Sequence, residues 1–379
     1  MNKYLWKISL IVFFITGVFA GFIANDKPIL CKDNNGFRIP VLERNNNYIA
    51  GENCKILINP LIKYSYKSID TKNAGFISPF SKQNLKNGQQ RHYLGTDQIG
   101  RDVLAGMIHG TGIALKVGTF TMALALLLAL ILSVVPSYYG DNDFKLTWAK
   151  TMVLILTVLA VIYLLININL FLSFSLFDIA LTILFMILIL AGIFYLIKTI
   201  PVFRNEVTIP LDSQISIFTK LFQSLPGTFI VLILISLFSQ ASIYNIILVI
   251  AILKWPLISR YIRAEILKIK EERFIEASKT LGLKDQIVIV RHILPHIWTP
   301  VIVALSFGFA GTILLESTLS FLGIGIPADH VSWGSLLNQA RQNYSAWWLA
   351  VFPGLAIFWI IYTFNEIGNS ISDKIEGEK

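Results

Sequence analysis

"EASKTLGLKDQIVIVRHILP", residues 276–295, is a charged segment set between two apolar runs. Glu271, Glu272 and Glu276 fall early in a helical pattern, where carboxylates complement the positive end of the helix dipole. Phe274, Ala277 or Ser278, and Leu281 recur at three- and four-residue spacing, which predicts a narrow apolar face. Gly282 then supplies a left-handed cap, and Pro295 marks the return to the apolar run. Small residues at 277, 278 and 282 let a second surface approach the backbone closely. The pattern fits a docking helix and an ordinary solvated loop helix equally well. The β-branched run Ile287-Val288-Ile289-Val290 is compatible even with a strand.

The surroundings of this segment fix its class. Of 379 residues, 55% are hydrophobic and only 15% charged, and the mean hydropathy is +0.65. Soluble domains are about 45–50% apolar and about 25% charged, so the chain is expected in a membrane. Apolar runs near 8–24, 113–136, 151–168, 170–197, 298–322 and 346–364 approach or exceed the roughly 18–20 residues that cross a bilayer. Runs near 217–239 and 243–262 are interrupted by Lys220, Lys254 and Pro256, giving about eight spans in all. Basic residues beside such runs account for the net charge of +9 better than nucleic-acid binding does. Lys3 and Lys7 before the first run also fit a signal peptide, but the run is long for a signal core. An uncleaved first transmembrane helix within 1–24 is therefore expected.

Residues 25–91 form the one long polar stretch, rich in Asn and Lys, and hold both cysteines, Cys31 and Cys54. Their confinement to a single polar loop favours a disulfide and an oxidising compartment. Between 254 and 291 nine Lys and Arg residues sit close to the ends of apolar runs, which keeps that connection cytoplasmic. Counting spans back places the N-terminus inside and loop 25–91 outside, so both arguments agree. Within 141–212 the runs flanking "NIN" at 167–169 read as a transmembrane hairpin whose tip lies outside.

"EASKTLG" followed by "ILP", with Gly282 and Pro295 thirteen apart, resembles the EAA loop of ABC importer permeases. In that family the loop is a coupling helix that docks in a groove of the cytoplasmic ATPase. The resemblance assigns coupling to Glu276, Ala277, Ser278, Gly282, Leu294 and Pro295 within loop 271–295. Ser278 replaces a second alanine and His292 a common isoleucine, without changing the spacing.

A second motif is "HYLGTDQIGRDVLAGMIHGTGIALKVG", residues 92–118. Its glycines lack the following Lys-Ser/Thr of a phosphate-binding loop. Thr96 or Asp97 is expected to cap a short interfacial helix with Val103, Leu104, Met107 and Ile108 on one face. Gly95, Thr96, Asp97, Gly100, Arg101 and Asp102 match the "LGTDxxGRD" signature of the peptide/nickel permease family, in its DppC/OppC-like branch. The third motif, "ESTLSFLGIG" at 316–325 followed by "SWG", "FPG" and "FNEIGNSISD", is similar to the same branch in the same order. From the residues alone, Glu316 is first a buried structural hydrogen-bond acceptor, although an intramembrane carboxylate also invites a functional role. Lys254 departs from the small residue that usually precedes "WP", and is expected to snorkel to the cytoplasmic interface.

The resemblance covers roughly 92–140 and 213–373, the latter as permease core, with the first span matched by position. Loop 31–91 and hairpin 148–198 are unmatched, so the hairpin reads as an addition to six family spans. It implies an all-α polytopic membrane protein of the type I ABC importer permease fold, in a bacterial inner membrane. Implied partners are cytoplasmic ATPase subunits, a second permease subunit and an extracytoplasmic substrate-binding protein; di- or oligopeptides are the implied cargo. No Walker motif, cofactor motif or metal cluster is present, and the five histidines form no HExxH pattern. A secondary transporter or channel is the alternative, but its candidate ion sites, Asp178, Glu265, Glu316 and Glu366, are sparse.

Overall fold

A computed structural model of the chain describes residues 5–33, 36–42, 55–85, 89–141, 145–147, 206–208, 210–238, 241–327 and 329–377. The chain divides into two compact units, one of Met1–Ile131 with Phe222–Lys379, the other of Leu132–Leu221.

The larger unit is built on helices. They are α1 (Leu5–Val18), α2 (Ala20–Ile23), most of α3 (Val103–Tyr139), the end of α4 (Leu211–Ser224), α5 (Gly227–Ser236), α6 (Ile243–Lys270), α7 (Arg273–Thr280), α8 (Asp285–Val288), α9 (Leu294–Phe321), α10 (Trp333–Gln342) and α11 (Trp348–Gly377). Four helical stretches are long and apolar enough to cross a membrane: Val103–Tyr139, Ile243–Lys270, Asp285–Phe321 and Trp348–Lys374. The apolar run 217–239 is two helices broken at Leu225-Pro226, a fifth span if they act as one. Proline removes a donor and clashes with the preceding turn, which explains the break. The run 8–24 is the 14-residue α1 and the short α2, separated at Phe19, instead of one long helix. The runs 151–168 and 170–197 lie outside the described residues.

Lipid offers no hydrophobic drive for helices to associate, so packing there depends on small side chains and buried polar contacts. Gly118 of α3 admits Phe309, since a Cβ would lie 2.4 Å from its ring; Gly368 of α11 likewise admits Phe307. Between α1 and α11 the Ser9 and Thr363 hydroxyls pair at 2.7 Å, and the Trp359 indole donates to Ser9 at 2.7 Å. Ile113, Val117, Val231, Ile246, Ile250 and Leu319 form an apolar cluster of α3, α5, α6 and α9.

The polar loop adds what an all-α expectation lacks, a three-stranded antiparallel sheet β2-β1-β3 of Leu30–Asp33, Gly36–Arg38 and Lys55–Ile58. Cys31 is buried on β1 and is not a free thiol; Cys54 lies outside the described residues. Ala24, Ile62, Tyr64 and Ala105 make a small core, with Leu104 and Ile108 packed against it. In the smaller unit, β4 (Lys145–Thr147) pairs antiparallel with β5 (Glu206–Thr208), and Ser213 donates to the Asp141 carboxylate through its N–H and its hydroxyl.

Candidate coupling site and signature knot

Arg273–Thr280 is a two-turn helix between the long helices α6 and α9. It ends where Gly282 adopts a φ of +74°, a conformation that side chains with a Cβ resist. Ile275 is 1% exposed and Ser278 is buried, while Glu276 and Ala277 are exposed, Phe274 is 40% exposed and Leu281 81%. The helix therefore keeps one face on its own protein and leaves 274, 277 and 281, at i, i+3 and i+7, open. Ser278 belongs to the inner face, and its hydroxyl donates to the Phe274 carbonyl at 2.7 Å. Around Gly282 a Cβ would meet nothing within 4 Å, so the cap lies in open space. Leu294 is half-buried and Pro295 exposed, at the first turn of α9.

The β-branched run 287–290 is helical: α8 leads through a π turn, Ile289–Ile293, directly into α9. A helix satisfies its own backbone as the chain enters the bilayer, which an isolated strand cannot do. The wider π turn keeps Val288 and Ile293 buried together, five residues apart, with Ile297 following on the same side. Phe274 packs on His296 and His292, at ring distances of 5.6 and 6.4 Å, so these histidines connect the short helix to the base of α9.

The signature residues gather at the start of α3, although not as a cap plus interfacial helix. Residues 103–139 are one continuous helix, and Asp102 caps it by accepting the Ala105 N–H at 2.7 Å. Thr96 instead crosslinks the loop, accepting from the Ile77 N–H at 3.1 Å and donating to the Asn73 carbonyl at 2.7 Å. Asp97 accepts from the N–H groups of Ile99 and Arg101, and from the Arg101 Nε at 2.7 Å. Gly100 takes a φ of +90° and lies so close to Asp70 that a Cβ would sit 2.1 Å from its carbonyl oxygen. Gly95 lies against the Ile77 carbonyl. The Trp348 indole of α11 donates to the Thr96 carbonyl at 3.1 Å, and Trp333 of α10 donates to the Met107 carbonyl at 3.0 Å.

At the centre of this knot is a residue that sequence reasoning passed over. His92 is fully buried, with Nδ1 2.8 Å from Asp102, Nε2 3.5 Å from Asp70, and its ring stacked on Tyr64 at 4.3 Å. The only linear clue was its place at the head of the signature; Asp70 is too distant in sequence to suggest the contact. Burial opposes ionisation of Asp70, but donors from Asn73, His92 and the Lys72 N–H outweigh it and hold its carboxyl below the ordinary 3.8. Burial, followed by the charges of Asp70 and Asp102, pushes the Tyr64 phenol up to about 12. Among the described residues no group of three His, Cys, Asp or Glu side chains is arranged to hold a metal ion.

In α9, Glu316 is 1% exposed and accepts hydrogen bonds from the hydroxyls of Ser320 at 2.7 Å and Ser317 at 3.4 Å. That is a structural acceptor role. The Lys254 ammonium lies against α9 in the space left by the missing side chain of Gly311.

Comparison with known proteins gives this geometry a context. Residues 207–374 match the family described as "Binding-protein-dependent transport system inner membrane component". The chain is 28% identical over 304 residues to the dipeptide transport system permease protein DppC of Alkalihalophilus pseudofirmus, covering 79% of this chain and 77% of that protein. It is 43% identical over 122 residues to a putative peptide transport system permease protein of Brucella suis, covering 32% and 41%. It is 34% identical over 160 residues to the oligopeptide transport system permease protein OppC of Haemophilus influenzae, covering 42% and 51%. The chain thus spans about half or less of the latter two relatives.

Proposed function

With residues 207–374 belonging to the binding-protein-dependent transport system inner membrane components, we propose that α7 is the coupling helix of a peptide importer. The chain is a permease subunit of an ABC importer, a multi-pass inner-membrane protein that leaves ATP hydrolysis to a separate subunit. The observation that carries the coupling assignment is the open face of α7. Phe274, Ala277 and Leu281 stand exposed, while Ile275 anchors the helix from behind. Such a helix transmits motion because it is fixed to the spans on one side and free to bind on the other.

In this reading two ATPase subunits lie beneath the EAA loops of this chain and of a second permease, and an extracytoplasmic binding protein delivers substrate. Di- or oligopeptides are the cargo, a reading supported by the names of the three relatives. Closure of the ATPases on ATP moves α7, which is joined through the Gly282 turn and α8 to α9, and access alternates across the membrane. The coupling energy must come from contacts that differ between the two states. Glu276, Ala277, Gly282, Leu294 and Pro295 form or border the docking surface; Ser278 supports it from the inner face. The N-terminus lies in the cytoplasm, loop 25–91 outside, and 141–212 adds a hairpin to the six family spans. A Cys31–Cys54 disulfide clips the outer loop.

Co-purification tests the assignment. The wild-type chain is expected to retain its ATPase partner in detergent, while Gly282→Glu and Ala277→Arg lose both the partner and transport. A buried, unpaired charge at the interface is costly to desolvate. Normal uptake by both variants at normal membrane levels would overturn the coupling assignment.

A further inference from the structure

Lys254 lies in the membrane-crossing helix α6, six residues above Arg260, with its side chain half-buried. A Cβ on Gly311 would sit 2.9 Å from its Nζ and 3.9 Å from its Cε, so the ammonium occupies the glycine notch of α9. Gly311 is seventeen residues from Leu294 at the start of α9, and Lys254 sixteen from Lys270 at the end of α6, so at 1.5 Å per residue both lie about 25 Å along their helices from those ends. The side chain therefore reaches across to α9 at about its own level along the helix.

Within the described residues nothing neutralises it. No hydrogen-bond acceptor or ion-pair partner of Lys254 is found among them. The acidic residues of α6 and α9 are engaged elsewhere, Glu265 with Lys268 at 3.0 Å and Glu316 with Ser320. Leu257 and Tyr261, three and seven residues on from Lys254, and Leu314, three on from Gly311, are partly exposed, so the described residues do not close over these helices. A lysine facing hydrocarbon is costly, so intramembrane cations face water or a counter-charge. No described residue of this chain supplies that counter-charge, and the chemistry that fits one ammonium is a carboxylate.

We propose that the α6–α9 seam lines the translocation path, and that Lys254 binds a carboxylate of the passing substrate. This rests on the peptide-permease reading. Gly311 is then a specificity-determining position, because its missing side chain lets the ammonium lie along the wall of the path. The carboxylate is either the C-terminus shared by all peptides or an acidic side chain.

The intact importer, with its ATPases and binding protein, in proteoliposomes provides the test. Uptake of Ala-Ala-Ala, its C-terminal amide, Ala-Asp-Ala and Ala-Lys-Ala is measured for wild type, Lys254→Met, Lys254→Glu and Gly311→Ala. Using ratios between peptides cancels differences in reconstitution. Lys254→Met is expected to lower uptake of the carboxylate-bearing peptide relative to its neutral counterpart roughly tenfold, the loss of one charge-assisted hydrogen bond. A fall in Ala-Ala-Ala relative to its amide identifies the C-terminus; a fall confined to Ala-Asp-Ala identifies the side chain. Lys254→Glu should shift preference toward Ala-Lys-Ala, and Gly311→Ala, by displacing the ammonium, should reproduce part of the Met effect with the charge retained. Unchanged ratios in all three variants, with wild-type uptake intact, would overturn the inference alone. Loss of the second permease from purified Lys254→Met would also overturn it, by assigning the lysine to subunit pairing. Wild-type importer that takes up none of the peptides would overturn the peptide reading together with the inference.

Discussion

His92 shows how much one side chain can organise. It joins Asp102 at the start of α3 to Asp70 in the polar loop before it, and it is fully buried, so water cannot replace either contact. The Asp70 carboxyl is held below its ordinary 3.8, so the unfolded loop binds a proton more readily than the folded one. The sign follows: the contribution of Asp70 is complete above 3.8 and is lost as pH falls through its depressed folded value. Asp70→Asn should therefore loosen the loop at pH 7, with the difference from wild type shrinking in acid. Hydrogen exchange of residues 70–76 and 92–102, corrected for intrinsic rates, measures this. A difference that stays constant down to acid pH would show that the carboxylate charge is not what holds the knot. Only part of this arrangement was legible in the sequence. The motif 95–102 marks the place, but the partners Asp70, Trp348 and Asn73 are brought there by the fold.

At the scale of an element, α7 shows the division of labour within two helical turns. Ile275 is enclosed, and truncating a buried isoleucine typically costs about 2–5 kcal/mol, so Ile275→Ala should free the helix from its support. Leu281 makes almost no contact within the chain, so Leu281→Asp should leave the helix intact and yet abolish coupling. Exchange protection across 273–283 read beside ATP-driven uptake separates the two effects. Equal loss of protection in both variants would mean that the helix has no free face. Periodicity alone gave the helix and its glycine end. It could not assign Ser278 to the inner face, because 277 and 278 both fit a narrow stripe and only packing chooses between them. Nor could it read 287–290 as helix, since the β-branched residues favour a strand locally and the continuity with α9 overrides them.

For the whole molecule, sidedness is set by charge. The eight basic residues from Arg260 to Arg291 lie toward the facing ends of α6 and α9, a distribution expected on the cytoplasmic side. Reporter tags near Asn45 and at Asn167 are expected outside, and tags at Lys284 and the C-terminus inside. On the same membranes, both cysteines should react with an impermeant thiol reagent only after reduction. A tag at Asn167 reporting inside would remove the added hairpin while leaving the rest of the topology intact. Thiols that react fully without reductant would remove the clip. A disulfide closing about two dozen residues is worth on the order of 3 kcal/mol by chain entropy, and the outer loop has only a small apolar core to add to it.

Hydropathy, the order of the three motifs and the spacing of Gly282 and Pro295 were enough to specify a helical membrane permease. These properties are local along the chain: a bilayer demands long apolar helices, and a docking helix needs small residues at fixed intervals. The tertiary structure decided where polar groups with no local partner go. It enclosed His92 between two carboxylates and a tyrosine, and it turned Ser278 inward. It also laid Lys254 into the notch of Gly311, fifty-seven residues away in sequence. The physical reason is common to all three. Desolvating a polar or charged group is too costly to leave uncompensated, and the compensating atom or space lies many residues away, where only packing can bring it.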